Sequence, residues 1–252
     1  FKMKKIAHDV VILYEDNHLI AFNKLSGEIV QGDKTEDVPL SENVKQLLKV
    51  KYEKKGNVYL AVIHRIDRPV SGVIIFAKTS KAAAKMSSLI QTNSFHKTYL
   101  AATYNKPEHL NGKLISYIYK NEKQNKSYIV QPSSLFGEKV NDPDFILPDS
   151  TTNKQGIKLQ RAELNYKYLS KNDNYHLLEI ELITGRHHQI RSQLASIGCI
   201  IKGDLKYGAP RSNPDASISL HAYNVRFIHP IKNEPVSITA PLHRNPFWTS
   251  FE

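Results

Sequence analysis

Two stretches in the second half of the chain alternate cleanly between apolar and polar residues, and this pattern restricts the fold most. Residues 162–168 read Ala-Glu-Leu-Asn-Tyr-Lys-Tyr, and residues 178–182 read Leu-Glu-Ile-Glu-Leu. Successive side chains of a β-strand point to opposite faces, so a period of two predicts strands with one buried face. Consecutive strands of this kind, separated by a polar turn, favour antiparallel pairing.

Further apolar runs predict more strands, and apolar residues at helical spacing predict three helices. The predicted strands cover residues 10–14, 19–24, 58–63, 73–78, 97–104, 199–202, 220–227 and 236–240. The predicted helices begin at the N-caps Ser41 and Ser80 and just after Gly185, and end near Gly56, Gln91 and Gly198. Strands outnumber helices, and most neighbouring strands resemble hairpins. The sequence therefore predicts an α+β fold with a mixed, largely antiparallel sheet flanked by helices and loops.

The organisation of the chain is simple at the level of composition. We find no internal repeat, heptad run or break in composition, and therefore expect one domain over residues 1–252. The periodicity weakens between residues 105 and 160, where we expect short strands joined by long loops. The stretch 121–160 has two open interpretations, an insertion that grips a ligand or a mobile loop.

The charge of the chain points to a polyanionic partner. The formal net charge is +11, which favours nucleic acid first and an anionic membrane second. A membrane is disfavoured because no apolar run reaches the roughly 18 residues of a spanning helix, and residues 1–5 are basic but lack the apolar core expected of a signal peptide. Cys199 is the single cysteine, so a cysteine-rich zinc site is excluded and a cytoplasmic location is expected.

A short basic motif surrounds one carboxylate. Residues 64–72 read His-Arg-Ile-Asp-Arg-Pro-Val-Ser-Gly and lie between two apolar runs, so Asp67 is expected on a loop between buried strands. The flanking Arg65 and Arg68 should keep Asp67 ionised and suited to act as a nucleophile or base. The alternative is a charged surface turn, which the motif alone would favour because Asp and Pro are common turn residues.

A second basic motif occupies residues 184–191, which read Thr-Gly-Arg-His-His-Gln-Ile-Arg. Arg186 is predicted at the N-terminal end of a helix, where a cation is mildly unfavourable, and this placement suggests an anionic partner. Arg191, one turn further, would extend a positive face for phosphates. The alternative is a solvated basic helix start. His187 and His188 would diverge by about 100° on a helix, so we expect no metal site.

Tyr99 is the third candidate residue. It lies in the motif Lys-Thr-Tyr-Leu-Ala at residues 97–101, on a predicted strand. Such a tyrosine is either an ordinary core aromatic or a platform on which a base can stack. Glycine-rich phosphate loops and the G-x-S-x-G motif are absent from the sequence, which disfavours nucleotide cofactors, phosphoryl transfer and serine hydrolysis.

Taken together, these residues resemble the RluA-like family of pseudouridine synthases. The matching segments occur in the family's order and cover nearly the whole chain. They are residues 14–16 and 23–24, the Asp67 motif, residues 185–191, residues 202–204 with 207–208, and residues 220–222. The resemblance implies a pseudouridine synthase fold with a central RNA-binding cleft. It also implies an isomerase that converts uridine in ribosomal or transfer RNA to pseudouridine, without metal or organic cofactor.

The resemblance also implies roles for individual residues. Asp67 would be the catalytic carboxylate, Tyr99 the base-stacking residue and proton-transfer candidate, and Arg186 the partner of the carboxylate. Six further residues are expected to contact the substrate: Arg65, Arg68, His187, Gln189, Arg191 and Leu220, the last lining the uracil pocket. The target nucleotide would be flipped out of its helix.

Some features depart from the family pattern or leave other functions open. No S4 RNA-binding domain is evident before the first hairpin, and Ser192 and Gln193 replace a valine and a histidine that are common in the family. We expect a monomer. A non-catalytic RNA-binding module and a cofactor-free nuclease or glycosidase are the rival functions. Glycosidases generally need two carboxylates, and neither basic motif has a second one beside it.

Overall fold

The fold is that of a computed structural model, which describes residues 11–32, 37–242 and 246–251. The chain forms two compact units. The first contains residues 1–97 and 220–245, and the second contains residues 98–219 and 246–252, so most of the second is inserted into the first along the chain. That the whole chain acts as one catalytic domain stays a prediction.

The first unit contains six strands and two helices among its described residues. They are β1 (Val11–Glu15), β2 (Leu19–Lys24), α1 (Leu40–Lys51), β3 (Ala61–Val62), β4 (Ser71–Ala77), α2 (Ser80–Gln91), β11 (Leu220–Ile228) and β12 (Pro235–Thr239). Strand β2 pairs antiparallel with β1 and β4, and β4 also pairs antiparallel with β3. On its other side β4 runs parallel to β11, which pairs antiparallel with β12.

The core of the first unit lies around β2 and β4. Every residue of both strands is buried, and the rings of Phe22 and Phe76 contact edge to face at a centroid distance of 6.3 Å. A strand buried on both faces needs a continuous apolar run, which both strands have. The first strand was predicted from residue 10, and that residue lies outside the described part of the chain.

The two helices of the first unit differ from prediction at their N-termini. Ser41 lies inside α1, whose N-cap is Pro39, so the predicted cap is wrong. In α2 the cap is Thr79 rather than Ser80, because the Thr79 hydroxyl accepts a hydrogen bond from the Ala82 amide at 3.2 Å. The strand predicted over residues 58–63 is confirmed only for Ala61–Val62.

The second unit contains six strands and three short helices among its described residues. They are β5 (His96–Thr103, whose first two residues belong to the first unit), β6 (Asn111–Asn121), β7 (Lys126–Val130), α3 (Pro132–Phe136), β8 (Ser150–Thr152), β9 (Lys158–Lys171), β10 (His176–Leu182), α4 (Gln189–Ser196) and α5 (Pro246–Thr249). The strand order is β5-β10-β9-β6-β7, with β8 also on β9. The predicted alternating strands are β9 and β10, and their antiparallel pairing is confirmed. The predicted mixed, largely antiparallel α+β architecture is likewise confirmed.

The region of weak periodicity is more regular than predicted. Strand β6 spans 11 residues and exceeds the short strands expected there, whereas β9 extends the predicted alternating strand only to Lys158. In the segment after β7, Phe136 contacts Phe145 of the same segment and Tyr117 of β6. The buried Tyr117 hydroxyl donates to the Pro148 carbonyl at 2.6 Å. This hydrogen bond holds the segment that precedes β8 against strand β6.

Helix α4 is shorter than predicted. It begins at Gln189 instead of just after Gly185, because His188 adopts a left-handed conformation with φ of 52°. It ends at Ser196, short of the predicted end near Gly198, and Ile197 is 38% exposed. The strand predicted over residues 199–202 is wrong, since only an isolated bridge between Thr103 and Ile201 forms there. None of the described helices has the length and apolarity needed to cross a membrane.

Candidate active site

The Asp67 loop connects β3 to β4 in the first unit. Ile66 and Val70 are buried at 8% and 2% exposure and anchor the loop, while Asp67 between them is half-buried. The Val70 amide donates to the Asp67 carbonyl at 3.0 Å and closes a turn. Arg65 is exposed beside it. The predicted position of Asp67, on a loop held by core residues, is therefore confirmed.

Lys24, at the end of the buried strand β2, holds the backbone of this loop. Its side chain is fully buried, and Nζ donates to the carbonyls of Leu25 and Glu28 at 2.8 Å each and of Arg68 at 3.2 Å. The Arg68 carbonyl also accepts from the Gly27 amide at 2.8 Å. Two donors, one at the end of β2 and one just after it, thus fix the peptide between Arg68 and Pro69.

The buried charge of Lys24 also interacts with the carboxylate of Asp67. Burial lowers the pKa of Lys24 to about 8, against the opposing effect of the carboxylates of Glu28 and Asp67, while Arg68 lowers it further. Asp67 is therefore within electrostatic reach of a buried ammonium group. A buried charge without partners would be costly, and three carbonyls together with two carboxylates offset that cost here.

The end of the loop is fixed by close packing between β4 and β11. Gly72 has a φ of +118°, and a Cβ atom built on it would lie 2.2 Å from the Ala222 carbonyl oxygen. Only glycine allows this approach. Next to it, the buried Ser71 hydroxyl lies 2.8 Å from Nδ1 of His221, whose Nε2 donates to the Ala240 carbonyl at 3.0 Å. Leu220 is 3% exposed and is the first residue of β11. Because the next residue, His221, pairs with Ser71, Leu220 lies close to the Asp67 loop.

His64 supports the start of the loop as a neutral residue. Its Nε2 accepts a hydrogen bond from the Ile75 amide at 3.2 Å, and its ring contacts Phe95 at a centroid distance of 5.3 Å. Burial, with a smaller effect of Lys97, lowers the pKa of His64 to about 3. A histidine that stays neutral and accepts a backbone hydrogen bond has a structural role.

Arg186 lies in the loop between β10 and α4 of the second unit. Its side chain is half-buried, and Nε donates to the Arg161 carbonyl at 2.9 Å. Its amide donates to Oε1 of Gln189 at 3.0 Å. The hydrogen bond at Nε fixes the plane of the guanidinium group, and such a fixed fork is what bidentate recognition of a carboxylate or phosphate requires.

The side chain of Gln189 holds the Arg186 loop through hydrogen bonds. The residue is 3% exposed, and its Oε1 accepts from the Thr184 hydroxyl at 2.8 Å as well as from Arg186. Its Nε2 donates to the Glu163 carbonyl and to Gln193 Oε1, each at 3.0 Å. All polar atoms of the amide are therefore occupied inside the protein. This geometry argues against the predicted contact of Gln189 with the substrate.

His187 and His188 stack on each other instead of diverging. Their ring centroids lie 3.8 Å apart with an interplanar angle of 21°, because the two residues precede the helix and His188 is left-handed. Nδ1 of His187 lies 2.8 Å from the Ser127 hydroxyl, which donates to the His187 carbonyl at 2.6 Å. Nδ1 of His188 lies 3.0 Å from the Tyr207 hydroxyl. Burial, reinforced by Arg191 and neighbouring cations, lowers the pKa of His188 to about 2.

Arg191 lies inside the protein. It is 5% exposed, and its Nε and Nη2 donate to the two carboxylate oxygens of Asp204 at 2.7 and 2.8 Å. The guanidinium also lies over the Tyr207 ring, 5.2 Å from its centroid. This geometry argues against the predicted phosphate contact of Arg191, because a buried side chain in a bidentate ion pair has no face toward solvent.

The other predicted residues divide between the two units. Arg68 is exposed and pairs with Asp37 at 2.8 Å in the first unit. Tyr99 is 6% exposed on β5 in the second unit, to which Arg186 also belongs, whereas Asp67 belongs to the first. Contact of Asp67 with Tyr99 or Arg186 stays a prediction. Among the described residues no group of three or more His, Cys, Asp or Glu side chains is arranged to hold a metal ion.

Three residues that support the two loops had no predicted role. The sequence does carry a signal for Lys24, because a cation follows the apolar run of β2. Asp204 was detectable as the acid that follows the buried run ending at Ile201, although nothing in the sequence pairs it with Arg191. Ser127 left no signal, because its contact with His187 joins positions 60 residues apart.

Comparison with known proteins identifies the family of the chain. A family model described as RNA pseudouridylate synthase matches residues 18–196. The chain is similar to ribosomal large subunit pseudouridine synthase C of Rickettsia conorii, with 31% identity over 97% of this chain and 71% of that protein. It is also similar to tRNA pseudouridine synthase C of Pectobacterium carotovorum, with 27% identity over 91% of this chain and 58% of that protein.

A solved structure shares the fold. Human RNA pseudouridylate synthase domain containing 4 superposes with a TM-score of 0.72 at 23% identity, covering 95% of this chain and 90% of that chain. The fold and the match over residues 18–196 define an RNA-modifying isomerase. The chain belongs to the RluA-like family of RNA pseudouridine synthases, as its motifs predicted.

Proposed function

We propose that this enzyme isomerises specific uridines of ribosomal or transfer RNA to pseudouridine, with Asp67 as the catalytic carboxylate. The names of its relatives support both RNA classes, since one is a ribosomal large subunit enzyme and another a tRNA enzyme. The position of Asp67 carries the assignment of the carboxylate. It is half-buried on a loop whose backbone accepts a hydrogen bond from the buried Lys24, within reach of that charge.

The reaction exchanges one bond of the nucleotide for another. The bond between N1 and C1′ breaks, the uracil rotates, and C5 joins C1′. The proton displaced from C5 leaves to solvent and N1 takes up a proton, so no oxidant, reductant or cofactor is consumed. Asp67 acts as a nucleophile toward either C1′ or the uracil ring, and the adduct breaks again before product release.

We also propose roles for residues of the second unit. Arg186 would orient Asp67 and keep it ionised, for which a guanidinium held at Nε is well suited. Tyr99 would stack on the flipped base and take part in proton transfer. Arg65, Arg68, His187 and Leu220 would contact the flipped nucleotide and its flanks. Gln189 and Arg191 support the Arg186 loop from inside the protein.

Base flipping sets the energetic requirement of the substrate complex. Extruding a nucleotide from a helix costs a few kcal/mol, and phosphate contacts of a protein with net charge +11 can offset it. We expect Arg186→Ala to lower turnover far more than RNA affinity, because its role lies at the reacting carboxylate. An equal loss in both would make Arg186 a phosphate contact.

Mapping of pseudouridine in total RNA tests the activity and identifies the substrate together. RNA from cells with and without this protein should differ at one or a few uridines. The purified protein should convert the same sites in RNA from cells that lack it. Release of free uracil, or cleavage of the strands, would instead indicate glycosidase or nuclease activity.

A further inference from the structure

The hairpin formed by β6 and β7 carries a cluster of lysines at its tip. Lys120 lies near the end of β6, Lys123 in the turn and Lys126 at the start of β7. Lys206 joins them from a 3₁₀ turn, because its Nζ donates to the carbonyl of Asn125 at 2.9 Å. The one acid in the hairpin turn, Glu122, pairs with Lys120 at 2.7 Å. The tip therefore keeps a net positive charge.

Aromatic rings lie between these cations. Tyr119 and Tyr128 are directly opposite each other on β6 and β7, with ring centroids 5.5 Å apart and an interplanar angle of 20°. Both are half-buried. Nζ of Lys126 lies 5.5 Å from the centroid of Tyr128 and 5.2 Å from that of Tyr207. Cations interleaved with partly exposed aromatic rings are the composition that binds the backbone and bases of single-stranded nucleic acid.

The hairpin is bonded directly to the Arg186 loop. Ser127, between Lys126 and Tyr128, donates to the carbonyl of His187, the residue after Arg186. The Ser127 amide also donates to the Tyr207 hydroxyl at 2.9 Å, and that hydroxyl contacts His188. The basic tip is therefore continuous, through two hydrogen-bonded side chains, with the loop that holds a proposed catalytic arginine.

We propose that this hairpin surface, formed by Tyr119, Lys120, Lys123, Lys126, Tyr128 and Lys206, binds the RNA strand next to the target uridine. The lysines contact its phosphates and the partly exposed tyrosine rings stack on its bases. The proposal rests on the proposed function for the identity of the partner. The hairpin at the start of the 121–160 segment would then be an RNA-binding element, the first of the two interpretations of that segment. Its phosphate contacts would help offset the free-energy cost of flipping the target nucleotide out of its helix.

The test compares two double variants that remove the same charge. Lys123→Gln with Lys126→Gln removes two of the four lysine charges of the proposed surface, and Lys167→Gln with Lys171→Gln removes two exposed lysine charges on β9 as the control. Lys167 pairs with Asn111, which is at the opposite end of β6 from the tip, roughly 30 Å away along the strand. The probe is a fluorescently labelled stem-loop RNA with a uridine-rich loop, and the measurement is its dissociation constant as a function of salt.

Each lost phosphate contact lowers the magnitude of the slope of log affinity against log salt by about 0.9 on double-helical DNA and by about 0.7 on a single strand. A variant that has lost two contacts is less sensitive to salt than the wild type. The ratio of its dissociation constant to that of the wild type should therefore fall about tenfold when the salt is raised from 50 to 200 mM. The control should keep the wild-type slope. The proposal is overturned if the hairpin variant keeps the wild-type affinity and slope, or if both double variants change equally.

Stacking is tested separately at Tyr128. Tyr128→Leu should weaken binding by about fivefold or more with the salt slope unchanged, whereas Tyr128→Phe keeps the ring and should bind as wild type. Unchanged binding by Tyr128→Leu would remove stacking from the proposal. The single variant Lys123→Gln, in the turn, replaces the double variant if the latter unfolds, with half the expected change in slope.

Failure of this surface and failure of the proposed function give different results. Turnover is measured on the same proteins with RNA that contains the mapped site. Normal isomerisation with an unchanged slope refutes only the hairpin surface. A wild-type protein that isomerises no uridine refutes the proposed function, while a lowered slope in the hairpin variant would still identify an RNA-binding surface.

Discussion

Asp204→Ala should strongly destabilise the second unit, because it leaves Arg191 charged and buried without its carboxylate. The two side chains are 6% and 1% exposed, and both oxygens of Asp204 accept from the guanidinium at 2.7 and 2.8 Å. Removing one partner of such a pair costs about 3–5 kcal/mol. The Tyr207 ring, 5.2 Å from the guanidinium carbon, remains as a partial partner, so we expect about 3 kcal/mol.

Trp248 makes this loss measurable. It is the single tryptophan of the chain, is 8% exposed and lies in the same unit as the ion pair, so its fluorescence reports unfolding there. Urea unfolding followed by Trp248 fluorescence gives the free energy of unfolding for each variant. The control replaces both partners, Arg191→Met with Asp204→Leu, and should recover most of the loss because no unpaired charge stays buried. A loss below about 1 kcal/mol in Asp204→Ala, or a double variant no more stable than the single one, would refute this reasoning.

Three further predictions concern the loops. Gly72→Ala should cost roughly 2–6 kcal/mol, the sum of backbone strain at positive φ and a clash with the Ala222 carbonyl, measured by circular dichroism during urea unfolding. Wild-type stability would contradict the close approach of β4 and β11. Gln189→Leu should lower kcat roughly 10- to 100-fold with little change in KM, because the Arg186 amide loses its acceptor and the loop shifts. A rise in KM alone would instead indicate a direct substrate contact. His188→Gln should flatten the pH dependence of stability below pH 6.5. Folding keeps His188 neutral down to a pKa of about 2, whereas the unfolded chain binds a proton near 6.5, so stability falls as pH drops below 6.5. The slope should decrease by up to about 1.4 kcal/mol per pH unit, and an unchanged slope would place the protonation elsewhere.

Local sequence patterns were sufficient to locate the Asp67 loop. Apolar runs on both sides predicted buried strands, and Pro69 with Gly72 predicted the break between them. The cap of α2 was misplaced by one residue because Thr79 and Ser80 both have hydroxyl groups that can accept from the first turn. Only the hydrogen bond from Ala82 distinguishes them.

The second loop depends on contacts that no local pattern encodes. The start of α4 was predicted too early because the residues after Gly185 have no helix breaker, while the structure turns His188 left-handed. The charge of Arg191 suggested a solvent-facing residue, and its burial depends on Asp204, 13 residues further along the chain. The stacking of His187 on His188 likewise depends on Ser127 and Tyr207, which lie on other elements.

The most direct test of the account is the isomerase activity of Asp67→Asn on RNA labelled with tritium at C5 of uridine. Pseudouridine formation displaces the C5 hydrogen, so the wild type should release tritium to water in proportion to product. Asp67→Asn removes the carboxylate but keeps the size of the side chain, and should bind RNA normally yet release no tritium. Asp173→Asn, at an exposed turn in the second unit, should retain wild-type activity as the control. Near-normal tritium release by Asp67→Asn would contradict the assignment of Asp67 as the catalytic carboxylate.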